Sequence, residues 1–459
     1  MITDTYALAR LLDGRALGPC VPVDTALVAS DSRLIQPGDL FVALRGPRFD
    51  GNDFARQALS AGAAAALVAE AGALDPGHPG VEAPDTLAAL GRLAGHVRSL
   101  SGASSWVGVT GSNGKTTTRG MIAAILRLRG PVHATSGNLN NRIGLPLTIC
   151  RTPADAWAAV IEMGTSEPGE IADLAAIARP QVGVVTMIGY SHMALLGDQA
   201  GIAREKAALF RHLPRDGLAI YPARDSQAAL LREAIACESA TFALATPADP
   251  DPEADLVARD IAVEMDGTWF RVDGIETSLR LLGRHYVMDA LAAMLAGKRL
   301  GVPIAESAAA LARLEPVPGR LSRRAGLSLT VLDDAYNSSP SSLEAAVETL
   351  LAMPGVRKAA ILGDMLDLGA ASHGLHSRLG RSIGRLGLDA VLAVGQESLA
   401  LAEAAESGHA RTKVAHFHTM RALLAGMGAY LRPGDTVLVK GSRGMRMETV
   451  VEALLKWKP

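Results

Sequence analysis

Apolar positions in this chain alternate between short unbroken runs and longer stretches spaced for one face of a helix. In the first part, residues 39–44 and 64–68 read as strands and 53–61 as a helix. A Pro/Gly-rich stretch, 75–80, reads as a loop. A helical stretch at 86–100 opens the second part. Strand-like runs at 105–109, 158–161 and 182–186 then alternate with helix-like runs at 119–128, 171–178 and 202–210. That rhythm predicts a mostly parallel sheet covered by helices. Residues 256–281 alternate with a period of two around Asp266 and Gly267, which predicts an appended hairpin. A third part begins near 316–319 and repeats the strand–helix rhythm, with strands at 329–332, 359–362, 390–394 and 436–439.

These patterns divide the chain at 1–83, 84–316 and 317–459, and the expected class is α/β with three domains. The third-part strands run into polar or glycine-rich turns at Asp333, Gly363, Gly395 and Lys440. In open α/β sheets ligands bind outside the carboxyl ends of strands, so the chemistry is expected there. No internal repeat of fixed period and no low-complexity segment is visible.

The most informative run is 109–118, where a strand leads into Gly111, Ser112, Asn113, Gly114, Lys115, Thr116 and Thr117, and a helix follows. This is the layout of a phosphate-binding loop. Glycines turn backbone N–H groups toward an anion, the helix start adds partial positive charge, and Lys115 adds a full one. A hydroxyl on Thr116 suits Mg²⁺. Only Ser112 and Asn113 separate the two glycines, which departs from the common G-x-x-x-x-G-K-[ST] spacing. An ordinary turn containing Gly-Lys-Thr is the bland alternative. The strand before and the helix after favour nucleoside triphosphate binding.

Composition narrows the class further. The 459 residues carry 45 basic and 47 acidic side chains, a net charge of −2, so no broad basic footprint for nucleic acid exists. Aromatics are 4% of a 49% hydrophobic chain, so the cores are expected to be aliphatic. Cys20, Cys150 and Cys237 have no metal-ligand spacing and suit a reducing compartment. No secretory signal is visible, and no apolar run is long enough to span a bilayer. The expectation is a soluble cytoplasmic protein without membrane insertion.

Several further side chains have two readings each. Glu162 closes an apolar run and suits Mg²⁺ or a solvated strand end. His192 follows the next strand and is a ligand or a surface histidine. Lys206 sits in a helical stretch, where a solvated lysine is the plain reading; a carbamate on it would make a metal-ligating anion instead. Asp334 and Asn337 lie in a polar loop and could touch nucleotide or substrate, while Ser339 or Ser341 with Pro340 could cap a helix there. Arg443 could clamp a carboxylate or phosphate, or simply be solvated. Asp31, Ser32, Arg33 and Asp50 stand in first-part loops whose spacing names no ligand.

Taken in order, these motifs resemble the Mur ligases, the amide ligases of peptidoglycan synthesis, over nearly the whole chain. The matching runs are the loop at 110–118, the paired Asn140 and Asn141 with Gly144 and Pro146, Glu162-Met163-Gly164, and 188–192. In the third part they are 333–340, 362–369 and 440–445. The 333–340 and 362–369 pair points to the branch that adds D-Ala-D-Ala.

The resemblance implies a small N-terminal α/β domain for a UDP-linked substrate, a central P-loop-type ATPase domain and a C-terminal Rossmann-like domain. It implies ATP, two Mg²⁺ ions and a carbamylated Lys206, with UDP-N-acetylmuramoyl-tripeptide and D-Ala-D-Ala as substrates of a monomer. Thr116, Glu162, His192 and Lys206 would hold metal, and Lys115, Lys206, His192 and Glu162 would serve catalysis. Arg320 and Asn337 would join the loop at ATP. Asp31, Ser32, Arg33, Asp50, Asn140, Asn141, Asp334 and Arg443 would face substrate. A carboxylate would take the γ-phosphoryl group, and an amine would then displace phosphate.

The chain departs from the family at Tyr286 and Asp289, where two asparagines near adenine are usual. It also departs at Asn52, where His is usual, and at Ser338-Ser339, where Ala-Asn is common. The rivals are another Mur-type or folylpolyglutamate-type ligase, or a P-loop switch carrying a binding module.

Overall fold

Short buried runs rich in Val, Ile, Leu and Ala pair into three separate sheets, because each run is too short to close a core alone. The computed structural model describes residues 4–191, 193–408 and 411–459. The first sheet holds β1 (Arg15–Leu17), β2 (Val28–Ala29), β3 (Leu40–Val42), β4 (Ala65–Val68) and β5 (Gly80–Glu82), in the order β1-β5-β4-β3-β2. Only β1 runs antiparallel to its neighbour.

The second sheet holds β6 (Ser105–Thr110), β7 (Val132–Ala134), β8 (Ala158–Glu162), β9 (Val182–Val185), β10 (Leu218–Pro222) and β11 (Glu238–Leu244). It continues with β12 (Leu256–Val263), β13 (Thr268–Val272) and β14 (Ile275–Leu279). The order is β14-β13-β12-β11-β10-β9-β6-β8-β7. From β6 the chain winds outward in both directions, so the sheet reverses at the carboxyl end of β6. The expected hairpin is instead a three-stranded meander that continues the sheet. β12 pairs in parallel with β11, while β13 and β14 are antiparallel. A second tight turn, with Asp273 and Gly274 both at positive φ, adds the third strand.

The third sheet runs β15-β16-β20-β17-β18-β19, from β15 (Ser322–Ala325), β16 (Thr330–Asp334), β17 (Lys358–Gly363), β18 (Ala390–Val394), β19 (Lys413–Phe417) and β20 (Thr436–Lys440). Insertion of β20 between β16 and β17 brings the ends of three strands, Asp334, Gly363 and Lys440, side by side.

The cores bind the three units together. One apolar cluster joins Leu40, Leu67 and Val81 of the first unit to Leu90, Leu93, Ile161 and Ile202 of the second. The helix Thr86–Leu100 lies between them, and Thr86 Oγ1 donates to Ala43 O at 2.7 Å. Another cluster joins the opposite face of the second sheet, including Val107, Ile125 and Leu291, to Leu343, Leu350 and Leu379 of the third unit. The helix Arg284–Arg299 is buried nearly all round, as its run of Ala, Leu and Met allows. The helix expected at 53–61 begins as a 3-10 turn, Gly51–Phe54, and becomes α-helical over Ala55–Ser60. No helix among the described residues is long and apolar enough to cross a membrane.

Phe242 is fully enclosed in the second unit. Phe242→Ala is expected to cost about 3–5 kcal/mol of stability in urea unfolding. A loss below about 1 kcal/mol would contradict tight packing at that point.

Candidate active site

After β6 the chain turns through Gly111 at φ +149° and Gly114 at φ +81°. A Cβ on Gly111 would collide with Thr186 Oγ1, and one on Gly114 with Asp289 Oδ1. The loop therefore needs glycine for both conformation and space. The helix Lys115–Leu126 starts at once, four residues earlier than its apolar periodicity suggested. Its free N–H groups and dipole make an anion cradle. Lys115 Nζ folds over the loop, donating to Gly111 O at 2.7 Å and Ser112 O at 3.3 Å. Burial lowers its pKa, while Glu162 opposes that shift.

Register then supplies the carboxylate. β8 pairs with β6 so that Glu162 stands opposite Val109, at the same end of the sheet as the loop. Glu162 is only 2% exposed. Its Oε1 accepts from Asn140 Nδ2 at 2.8 Å and Thr116 Oγ1 at 3.3 Å. Its Oε2 lies 3.5 Å from Arg119 Nη1 yet has no hydrogen-bond partner among the described residues. A buried carboxylate oxygen without a donor, beside a threonine hydroxyl, is a hard-oxygen set that fits Mg²⁺.

Lys206, in the helix Gln199–Arg211, is 1% exposed, so the solvated-lysine reading fails. No ion pair or hydrogen bond joins its amine to a described residue. Burial pushes its pKa well down, and nearby Lys115 adds to that. Burial of this kind disfavours the ammonium form. His192 lies outside the described residues.

The third unit meets the loop directly. Asp334 and Lys440 are register partners at the ends of β16 and β20, and their side chains pair at 2.5 Å. Lys440 Nζ also donates to Asn337 O at 2.9 Å. Asp334 Oδ1 accepts the Leu321 N–H at 3.1 Å, fixing the linker that carries Arg320. Arg320 reaches back to Thr116 Oγ1 at 3.3 Å and covers the Tyr336 ring at 4.3 Å. Ser339 caps the helix Pro340–Ala352, as its place before Pro340 suggested. It also donates to Asn113 Oδ1 at 3.1 Å, and Asn113 Nδ2 donates to Ser341 Oγ at 2.8 Å.

One cavity of about 460 Å³ lies at this junction. Ser112 to Thr117, Asn140, Glu162, Arg320, Asp334 and Asn337 all line it. Lys440, at one of the strand-ending turns where chemistry was expected, lines it too, as does Tyr336, which was not singled out by itself.

Other candidates stand elsewhere. Asn141 Oδ1 accepts the Gly144 N–H at 2.8 Å in the turn before the helix Gly144–Cys150, and Asn141 does not line the cavity. Arg443 is exposed, 5.9 Å over the Tyr336 ring, and does not line it either. Asp31, Ser32, Arg33 and Asp50 belong to the first unit, away from these walls. The Arg33 guanidinium bonds Asp31 and holds its carboxyl down at about 2. Asp50 pairs with Arg45 at 2.7 Å.

The departures have local structural uses. Asn52 is buried between Asp50 Oδ1, at 2.7 Å, and the Ala69 N–H, at 2.9 Å. Tyr286 OH donates to Arg320 O at 2.8 Å. Asp289 Oδ1 accepts from Thr118 Oγ1 at 3.0 Å.

Gly114→Ala is expected to weaken nucleotide binding about tenfold to hundredfold, with an unchanged far-UV circular dichroism spectrum. Unaltered affinity in calorimetry would mean that this turn does not hold phosphate.

Comparison with known proteins places this geometry. Residues 25–98 match the model described as Mur ligase family, catalytic domain. Residues 109–297 match Mur ligase middle domain, and 319–443 match Mur ligase, glutamate ligase domain. The chain is 37% identical over 435 residues to the UDP-N-acetylmuramoyl-tripeptide–D-alanyl-D-alanine ligase of Bacillus subtilis, covering 94% of this chain and 93% of that one. The crystal structure of MurF from Acinetobacter baumannii superposes with a TM-score of 0.89 at 30% identity, covering 98% of each chain. MurF of Thermotoga maritima in complex with ADP does so with 0.82 at 27%, covering 94% of this chain and 98% of that one.

Proposed function

The chain belongs to the Mur ligase family, and we propose that it joins D-alanyl-D-alanine to UDP-N-acetylmuramoyl-tripeptide using ATP. One structural observation carries this reading. The phosphate loop, the half-satisfied Glu162 and the Asp334–Lys440 pair face a single cavity between the second and third units. A hydrolytic switch does not require a second catalytic wall from another domain, whereas a ligase must hold a reactive intermediate away from water.

The terminal carboxylate of the tripeptide attacks the γ-phosphorus, and ADP leaves with the bonding pair. The amine of the dipeptide then attacks the acyl carbon. Inorganic phosphate departs, and the ammonium proton is lost as the amide forms. Lys115 lies where negative charge grows on the transferring group, and its work is positioning and charge neutralisation. Thr116 and Glu162 would hold one Mg²⁺; Lys206 as a carbamate, with His192, would hold a second. Bound there, the ions neutralise phosphate oxygens. Asn140 holds the Glu162 carboxylate in place. Arg320 and Asn337 enclose the nucleotide from the third unit. Asp31, Ser32 and Arg33 face the UDP end of the substrate, and Asp50 also contacts substrate.

Purified protein supplied with ATP, magnesium, the UDP-linked tripeptide and the dipeptide should yield the pentapeptide product by mass spectrometry. Phosphate released equally well without the dipeptide would favour a nucleotide switch, and a preference for another amine would favour another ligase. Lys115→Ala should lower product formation by about 10²–10³ or more, as loss of a preorganised cationic donor does. Near-normal turnover would remove Lys115 from the mechanism. Lys206→Ala should lose most activity and regain part of it with added acetate or formate. Indifference to the loss of Lys206 would reject the carbamate.

A further inference from the structure

We propose that Asp289 braces the phosphate loop as a neutral carboxylic acid, and that its ionisation sets an alkaline limit on nucleotide binding. The inference rests on the nucleotide reading above and concerns a residue at which this chain departs from the usual family pattern. Asp289 lies on the helix Arg284–Arg299, is buried, and lines the same cavity as the loop. It presses on Gly114 so closely that a Cβ there would overlap its Oδ1. Its one hydrogen bond comes from Thr118 Oγ1, and no ion pair reaches it among the described residues.

The contrast with Glu205 is instructive. That carboxylate is also buried, but it accepts from the Gly169 N–H at 2.7 Å, the Ile171 N–H at 2.8 Å and Thr165 Oγ1 at 3.4 Å. Asp289, by contrast, meets a single hydroxyl, too little to offset the cost of a buried charge. Burial accordingly raises Asp289 to about 8, with the Thr118 hydrogen bond and the more distant Arg320 opposing.

Position gives this protonation a consequence. Asp289 touches the first turn of the helix that starts at Lys115, whose positive end is also what a triphosphate needs. An ionised Asp289 would take up that potential and repel the phosphates. A protonated one leaves it free. The other titratable or charged groups on this wall are Lys115 of the loop, Glu162 of β8, and His285 and Tyr286 of its own helix. The third unit adds Arg320, Asp334, Tyr336 and Lys440. Lys115 also loses charge at alkaline pH, so the wild-type profile alone cannot assign the effect. Substitution of Asp289 separates the two.

The test is calorimetric binding of Mg·ADP to the full chain, wild type and Asp289→Asn, from about pH 6.5 to about pH 9.5. The ratio of variant to wild-type affinity is expected to rise at least about fivefold above pH 8, because only the wild type acquires the charge. A constant ratio across the range would overturn the proposal while leaving nucleotide binding intact. Absence of ADP binding at every pH, in both proteins, would instead overturn the nucleotide reading itself.

Thermal unfolding gives a second readout. The native Asp289 keeps its proton to about 8, whereas the unfolded side chain loses it near 3.8. The native state binds more protons in that window, so the wild type loses stability as pH rises through it. The melting temperature of Asp289→Asn relative to wild type should therefore climb from about pH 5 to about pH 8. A flat difference would show that Asp289 is ionised in the fold.

Discussion

A nearly inaccessible carboxylate stands at the end of β8 because two separate elements supply its partners. Thr116 comes from the loop helix, Asn140 from the turn before the helix Gly144–Cys150, and Arg119 from one helical turn beyond Thr116. A buried charge lacking such partners would cost several kcal/mol. The partners in turn depend on Glu162 to hold their own geometry. One oxygen remains without a hydrogen bond among the described residues. The parallel pairing of β6 with β8 is therefore the constraint behind the site. A register slip of one residue would turn Glu162 to the other face of the sheet.

The second and third units are joined by polar contacts to the loop itself. Asn113 spends both ends of its side chain on Ser339 and Ser341, and Ser112 Oγ exchanges hydrogen bonds with the backbone of Gly189. A Cβ on Gly189 would strike Ser341 Oγ, so glycine permits the approach. The Ser338-Ser339 departure thus has a use: Ser339 caps its helix and also reaches across the junction. Arg320 and the Asp334–Lys440 pair close the other side. Movement of the third unit would be felt first at the residues that surround phosphate.

Tyr286 and Asp289 replace the asparagines usual near adenine, and both are spent on the protein. Tyr286 ties the central helix to the linker at Arg320, and Asp289 supports Thr118 and Gly114. His285, on the same wall, is lowered to about 4 by burial, and its Nδ1 has no hydrogen-bond partner among the described residues. This wall of the cavity is therefore built from an aromatic and two groups whose charged forms burial disfavours.

The sequence alone determined what depends on neighbours along the chain. The loop at 110–118, the cap at Ser339 with Pro340 and the helix Thr86–Leu100 were legible because glycine, proline, capping hydroxyls and helical spacing act over a few residues. Strands as short as β1, β2 and β7 were not legible, since only pairing with distant strands makes them strands. The third strand of the meander escaped for the same reason. Tertiary structure decided which polar side chains share a cavity. Lys206 reads as a solvated helix lysine until packing encloses it, and Lys440 becomes Asp334's partner only through the β16–β20 register. Tertiary structure also places Asn141 in the turn before a helix, bonded to its backbone, and leaves Arg443 exposed, both outside the cavity walls. Burial and register are properties of the folded chain, and they set charge, protonation and contact in ways that local spacing cannot encode.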